Sequence, residues 1–421
     1  MARLKKPLLI FLRYYRNLGL RVTLYALLSL VAAFASPFVG VYLDDETVQR
    51  LDFTSVTPVL TILATSMLAV STFSLNIMVS AHRAAADTTT PRVHQILLED
   101  TTTQSVLSTF IGAFVYAFAA IVLFQSGFYS DEAAIVVMGV TIVVAVLVVI
   151  AMLRWVQYLT NLGSVDDSLA SAETKAREAL RGTAEAPAFG ANPIGDDTVV
   201  PVSVTPIPAP SSGYLQLIDV GHLEECRPDN GLVYVLHLPG THVLAGEAVA
   251  QVTGQASRDA RERLAAAFTI GPRRTYEQDA AYGLTVLSEI ASKALSPGIN
   301  DPGTAIEAIV RLKALLWAYA QDVSAETADI APHVFIPTRA ADHLVKAAYA
   351  PIARDGAGVI EVAEHLQRAL DALAQAEDAG IRQAAAEMSA LAYEYSEQAG
   401  LLAREVTQLQ KMAETARAGA E

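Results

Sequence analysis

Four long apolar stretches in the first 160 residues limit what this chain can fold into. They lie at about 22–43, 57–81, 103–124 and 133–156, and none has a charged side chain well inside its apolar run. A helix needs roughly 20 apolar residues to cross a bilayer. Soluble proteins seldom contain helices this long and this uniformly apolar. The pattern therefore predicts an α-helical integral membrane protein with four transmembrane helices, whose first partner is the lipid bilayer.

The charges that flank these stretches predict how the chain crosses the membrane. Six basic residues and no acid precede the first stretch, whereas the loop at 44–52 carries four acids and one arginine. Arg83 and Arg92 lie in the loop between the second and third stretches. Lys and Arg are retained on the cytoplasmic side. We therefore expect both the N- and the C-terminus in the cytoplasm, together with the residues after 160.

Composition excludes some partners and compartments. The net charge is −14 and 52% of the residues are hydrophobic. An acidic chain is a poor ligand for nucleic acid, because phosphate binding needs a basic face. Cys226 is the one cysteine, so the chain forms no internal disulfide and suits a reducing compartment.

Polar side chains follow one face of the second stretch. In a helix, one side of this stretch carries Thr61, Thr65, Thr72, Asn76 and Ser80. Arg83 follows just after the end of the stretch. Ser66, Ser71 and Ser74 are expected to broaden this face. The third stretch has small residues at a spacing of four: Ser105, Thr109, Ala113 and Ala117, with Gly112 alongside.

Two interpretations of these faces stay open. Both faces can pack helix against helix, because small and hydroxyl residues permit close approach. Alternatively, the second stretch lines a pore in a homo-oligomer that passes ions, with Thr65, Thr72, Asn76, Ser80 and Arg83 as its wall. Pumps and proton-coupled transporters usually carry an ionised residue at mid-membrane depth, and these stretches carry none there. This favours a passive conduit or a simple anchor.

The remainder predicts a cytosolic α+β portion after the transmembrane domain (1–160). We expect a helix and linker at 161–198, then a small β-rich module at 199–255, where short β-branched runs alternate with turns. A helical domain is expected at 256–421. Its last segment has apolar residues at three-four spacing from Ile381 to Leu409, which is typical of a coiled coil. That seam can pack antiparallel within one chain or between subunits.

Motifs for catalysis or metal binding are missing from the sequence. There is no Gly-rich phosphate loop, no HExxH and no nucleophile elbow. The cluster of His222, Cys226, His237 and His242 matches no standard zinc spacing. We therefore expect no enzyme activity, no metal and no cofactor.

The block "ALSPGINDPGTA" at 294–305 and the preceding "RRTYEQD" hold the remaining candidate site. Arg273, Arg274 and Asp279 precede one predicted helix, and Asn300 and Asp301 precede the next. Helix N-termini with two arginines can bind a phosphate or nucleotide. The structural alternative is that these residues form ion pairs and helix caps, with Asp301 as an N-cap before Pro302.

These two blocks, with "SGYLQLID" and "TTTPRVHQILLED", resemble a bacterial group of predicted membrane proteins, the domain-of-unknown-function family 2254. The resemblance covers nearly the whole chain. It implies a four-span membrane half, a cytosolic half and residence in the bacterial inner (plasma) membrane, and it brings no activity. Two functions stay open: an oligomeric channel lined by the second stretch and regulated by the cytosolic half, or a non-conducting scaffold or sensor whose cytosolic helices bind a partner or small ligand.

Overall fold

The computed structural model describes residues 18–40, 56–88, 90–93, 101–129, 131–159, 164–195, 198, 203–322 and 331–420. The chain divides into two compact units. The first holds Pro7–Asp87 and His94–Asp167, and we call it the membrane unit. The second unit consists mainly of Ser168–Glu421 and also includes Thr88–Val93.

Four helices form the described part of the membrane unit: α1 (Leu18–Gly40), α2 (Val56–Thr88), α3 (Thr101–Gln125) and α4 (Asp131–Leu159). Each contains a stretch long and apolar enough to cross a membrane. The prediction of four such helices is therefore confirmed. The basic residues at 3–16 and the acidic loop at 44–52 lie outside the described residues, so the orientation of the chain stays a prediction.

Small residues and buried tyrosines hold these helices together. Gly112 on α3 lies against α1, because a Cβ there would be 3.2 Å from Ser29 Oγ and 3.4 Å from Tyr25 Cβ. Tyr116 is buried, and its hydroxyl donates to the Val137 carbonyl of α4 at 2.9 Å. Gly112, one residue of the predicted small-residue face, thus lies at a close contact between two helices, as packing in lipid requires.

The second unit contains two β-sheets that share one buried core. Its strands are β1 (Ala191–Ile194), β2 (Val204–Pro208), β3 (Gly213–Ile218), β4 (Val233–Val235), β5 (His242–Val243), β6 (Ala248–Thr253), β7 (Phe268–Gly271) and β8 (Ala331–Pro337). The five-stranded sheet has the order β1-β8-β4-β6-β2, and the other sheet has the order β5-β3-β7. Pairs β1–β8 and β8–β4 are parallel, and the other pairs are antiparallel.

The two sheets cross the predicted boundaries at 199 and 255. Strand β1 comes from the stretch predicted as a linker, and β7 and β8 come from the predicted helical domain. Parallel strands need long crossover connections, and the pairing of β8 with β4 spans about 100 residues. The β-rich part is therefore completed by strands that the local sequence pattern assigned to other domains.

The helices of the second unit are α5 (Val165–Glu185), α6 (Val220–Cys226), α7 (Arg258–Ala265), α8 (Ala280–Ala294), α9 (Pro302–Asp322), α10 (Ala341–Asp355), α11 (Ile360–Leu373), α12 (Ala379–Glu397) and α13 (Ala403–Ala420). Helix α8 is buried on nearly all sides. A Cβ at Gly283 would lie 2.5 Å from Ala176 Cα of α5, so only glycine permits this close packing.

The predicted coiled-coil seam does not run through to Leu409. Its first part is buried on α12, at Ile381, Ala385, Met388 and Ala392, but Tyr395 and Leu402 are exposed. Gly400 has a φ of +79°, a conformation that interrupts a helix and ends many of them. The chain therefore turns between α12 and α13, and the two helices pack against each other within one chain.

Glu224 links α6 to β8 in the second unit. Its Oε1 accepts from Arg227 Nε at 2.9 Å and contacts His333 Nδ1 at 2.8 Å, and its Oε2 accepts from the His333 backbone N–H at 3.1 Å. Burial alone would raise the pKa of Glu224, but these hydrogen bonds outweigh it and hold the pKa below its ordinary value.

We expect Glu224→Gln to lower the free energy of unfolding at pH 7 by about 1–2 kcal/mol, because the charge-assisted bonds are lost. A carboxylate with a lowered pKa stabilises the fold above its unfolded pKa, and this contribution disappears as the pH falls. The difference between the two proteins should therefore shrink below pH 4.5. Denaturant unfolding of full-length protein in detergent at several pH values measures this. Glu225→Gln, at the exposed neighbour, is the control, and an equal loss there would contradict the assignment.

Candidate functional site

The predicted pore residues lie together on one exposed edge of α2. Thr65, Thr72, Asn76, Ser80 and Arg83 are all exposed in the isolated chain, as is Thr61. None of these side chains is covered by the chain's other described helices. We call this set the polar edge of α2.

The opposite edge of α2 is the one that packs. Its buried residues follow a four-three spacing: Val56, Leu60, Ala64, Met67, Ser71, Ser74 and Met78. They join clusters with Tyr116 and Phe110 of α3 and with Val137 and Trp155 of α4. At 3.6 residues per turn the two edges are centred roughly 150° apart.

The structure places Ser71 and Ser74 on a different face of α2 from the one that we predicted. Both were expected to broaden the polar face, but they lie in the buried edge, at 8% and 2% exposure. Ser71 Oγ donates to the Met67 carbonyl at 2.6 Å, so its polarity is satisfied within the helix. A serine of this kind packs in a transmembrane interface like a small apolar residue.

The threonine hydroxyls of the polar edge also bond to their own helix. Thr61 Oγ1 donates to the Thr57 carbonyl at 2.8 Å, Thr65 Oγ1 to the Thr61 carbonyl at 2.8 Å, and Thr72 Oγ1 to the Leu68 carbonyl at 2.9 Å. Their hydrogens are therefore directed back at the helix, and their oxygen lone pairs remain available outward. The edge combines these acceptors with the Asn76 amide and ends in the positive charge of Arg83.

The segment that follows α2 in the chain belongs to the second unit. Within Thr88–Val93, Val93 is fully buried, and the Arg92 side chain forms an ion pair with Glu289 of α8. The positive charge of Arg92 also lies close enough to Tyr282 of α8 to oppose the rise in the Tyr282 pKa that burial causes. The end of α2 is thus separated by only a few residues from a segment held on α8.

A buried ion-pair cluster surrounds the start of α8. Arg274 contacts Asp279 Oδ2 through Nε at 2.8 Å and Nη2 at 2.7 Å, and Arg339 Nη2 lies 3.4 Å from Asp279 Oδ1. Asp279 is 1% exposed. The Arg274 guanidinium also lies over the Tyr282 ring, 4.8 Å from its centroid.

Gly240 makes room for this carboxylate. A Cβ at Gly240 would overlap Asp279 Oδ2, and the φ of +97° at Gly240 disfavours other residues. Next to it, the Pro239 carbonyl accepts from Arg339 Nη2 at 2.6 Å. Burial raises the pKa of Asp279 while Arg274 and Arg339 oppose the rise, and burial lowers the pKa of Arg339. The cluster therefore ties three distant segments together through desolvated charges.

The "SPGINDP" turn lies at the other end of α8. Asn300 has a φ of +51°, and Asp301 caps α9 by accepting from the Thr304 N–H at 3.1 Å and its hydroxyl at 2.6 Å. The Asp301 N–H donates to the Ala294 carbonyl at 2.8 Å. Helix α8 has 15 residues and is about 22 Å long, so Asn300 and Asp301 do not share a site with Arg273, Arg274 and Asp279. Both aspartates already have partners, and Arg273 is exposed.

The histidines and the cysteine of the β-rich part have separate partners. Cys226 Sγ lies 3.6 Å from His222 Nε2, His237 lies 3.4 Å from Glu247, and His242 packs edge-on against Tyr214. Within the described ranges, no group of three His, Cys, Asp or Glu side chains could hold a metal ion.

Asp279→Asn should lower the free energy of unfolding by about 3 kcal/mol, because it leaves Arg274 and Arg339 partly buried without a counter-charge. Combined with Arg274→Met, it should cost clearly less than the sum of the two single changes, as expected for interacting partners. Denaturant unfolding of the full chain measures both effects. Asp301→Asn is the control, because Asn caps a helix as well as Asp does. Additive losses would mean that the pair does not act as a unit.

Comparison with known proteins identifies a family that this chain matches. The profile of a family described as "Predicted membrane protein (DUF2254)" matches residues 16–372. Uncharacterized proteins of Mycobacterium bovis (Mb1321c) and Mycobacterium tuberculosis (Rv1290c and MT1328) are 34% identical over 122 residues, which cover 27% of this chain and 23% of each relative. The chain thus matches these curated relatives over about a quarter of their length. No solved structure matches the chain. Because the family profile extends over most of its length, the chain belongs to the DUF2254 family of predicted membrane proteins.

Proposed function

We propose that this protein is an oligomeric ion conduit of the bacterial inner membrane, lined by the polar edge of α2 and regulated by the second unit. The observation that carries the proposal is the direction of that edge, which points away from the packed side of α2 and is exposed in the single chain. In this proposal both termini and the second unit are cytoplasmic.

Lipid is a poor neighbour for the polar edge. Polar side chains within transmembrane helices usually face the bundle interior or a water-filled cavity, because transfer to hydrocarbon is costly. The interior of this chain's own bundle is occupied by the opposite edge. When several copies assemble with the polar edge of each α2 facing a common axis, these polar side chains line a water-filled space.

The spacing of the polar edge suits such an axis. Thr61, Thr65, Thr72, Asn76 and Arg83 follow steps of four and seven, so the edge runs nearly straight along the helix. Hydroxyl and amide groups can replace part of an ion's hydration shell, and Arg83 places a positive charge at one mouth. This charge favours anions at that mouth, whereas the outward oxygen lone pairs of the threonines are ligands for cations.

Regulation follows from the position of Arg92. Thr88 ends α2, and Arg92, four residues later, is paired with Glu289 on the buried helix α8. A displacement of α8 therefore reaches the end of the pore-lining helix through a very short connection. This is a physical link between an element of the second unit and the proposed pore, which any coupling between them requires.

Flux through liposomes tests the conduit. We expect purified full-length protein to pass ions, and Thr72→Leu and Asn76→Leu to lower the flux roughly tenfold, because losing a polar contact of about 1.5 kcal/mol raises the barrier by that factor. Thr23→Leu is the matched control. Thr23 is also exposed and also donates to its own helix, to the Gly19 carbonyl at 2.8 Å, but it lies on α1. Absence of flux for every ion, voltage and membrane tension would instead support a non-conducting scaffold or sensor.

Charge reversal tests the link to the second unit. Arg92→Glu should change the flux by roughly threefold, in keeping with the energy of a partly exposed ion pair, and Glu289→Arg added to it should restore the flux. Arg181→Glu, which breaks the exposed pair with Glu185 on α5, serves as the control. If the double reversal leaves the flux as altered as the single change, the pair does not transmit regulation.

A further inference from the structure

A cavity of about 330 Å³ lies between α1, α3 and α4 in the membrane unit. Its volume falls in the range of roughly 300–1,000 Å³ that small-molecule sites occupy. Helix α2 contributes no residue to it, so the cavity is separate from the polar edge. Most of its wall is aliphatic, including Leu28, Leu147 and Ile150.

Three hydroxyl groups in the wall are already bonded within the protein. Ser29 Oγ donates to the Tyr25 carbonyl at 2.8 Å, and Thr109 Oγ1 donates to the Ser105 carbonyl at 2.9 Å. The Tyr116 hydroxyl donates to the Val137 carbonyl at 2.9 Å. The hydrogens of these three hydroxyls are used within the protein, and most of the wall is aliphatic, so the cavity suits a hydrocarbon occupant.

The length of the cavity matches one leaflet. On α3 it extends from Ser105 to Tyr116, and on α4 from Val144 to Arg154. At 1.5 Å per residue these distances are about 16 and 15 Å. Half of the roughly 30 Å hydrocarbon core is about 15 Å. The cavity therefore runs from the surface of the hydrocarbon to its middle.

The charge is at the surface end. Arg154, which lines the cavity and is exposed, lies near the C-terminus of α4, while Tyr116 and Val144 lie at the deep end. The N-terminal part of α3, with Ser105, is at the same end as Arg154. Arginine binds phosphate through paired hydrogen bonds, and the positive end of a helix dipole favours an anion.

We propose that this cavity binds one anionic phospholipid from the leaflet at its Arg154 end. An acyl chain lies inside the cavity, and the phosphate is bound by Arg154. A helix from a second copy is larger than the site: over 15 Å of length, a cylinder 10 Å wide occupies on the order of 1,200 Å³, more than the roughly 1000 Å³ of open space in the cavity and its mouth. Free phosphate would leave the apolar wall empty. The lipid fills both parts of the site, and its binding does not depend on whether the protein conducts ions.

Native mass spectrometry of the full-length protein tests the site with phosphatidylglycerol. We expect Arg154→Gln to lower the retained lipid roughly tenfold, since it removes the charge-assisted contact. Thr109→Phe should lower it to a similar degree by filling the cavity, and Thr109→Leu provides a milder change if the larger ring prevents folding. Inorganic phosphate should not displace the lipid.

Two controls make the result specific. Arg83→Gln removes a basic residue at the end of α2, and Val122→Phe adds a ring on α3 outside the cavity; both should retain the lipid. Equal retention in wild type, Arg154→Gln and both Thr109 variants would overturn the proposal. Equal loss in Arg83→Gln would do so as well, because it would indicate general attraction of lipid to basic residues. Displacement by inorganic phosphate would identify a simple anion site instead.

Discussion

The organisation of the membrane unit depends on one constraint, which is that hydrocarbon satisfies no polar group. Backbone groups are paired by helix formation, and hydroxyls such as those of Thr65 and Thr72 bond to carbonyls of the preceding turn. Because lipid is as apolar as leucine, helices associate through close packing, as at Gly112 and Ser29. One edge of α2 is used for that packing. The polar edge is a polar surface that the described part of a single chain leaves uncovered, and this is why we assign it to an assembly.

In the second unit, the corresponding constraint is the cost of removing charged groups from water. Helix α8 is buried on nearly all sides, and a buried Asp279 stands at its start between Arg274 and Arg339. Desolvation offsets much of the attraction in such a cluster, so it is a weak source of net stability. Its geometry is demanding, however, since it requires Gly240 to lack a side chain. We therefore interpret the cluster as fixing the position of α8, the helix whose Glu289 forms an ion pair with Arg92.

The sequence predicted the features that depend on near neighbours and missed those that depend on distant ones. Apolar runs were sufficient to locate the four membrane helices, and Asp301 was identified as a cap from its neighbours. Ser71 and Ser74 were assigned to the polar face, although helical spacing already places them on the other side of α2, where they are buried. The contact of Asp279 with Arg339 joins residues 60 positions apart, and no local pattern indicates it. The same holds for β8, which pairs with strands from two predicted domains.

Helix α3 connects the two proposals physically. It lines the cavity from Ser105 to Tyr116, it packs against the buried edge of α2 through Phe110, and it follows the segment that contains Arg92. A lipid in the cavity would therefore act on the packing between α2 and α3. If the conducting and closed assemblies differ in that packing, thermodynamic linkage requires that lipid binding and opening change each other's equilibrium by the same factor. Lipid composition would then shift the balance between the conducting and the closed assembly.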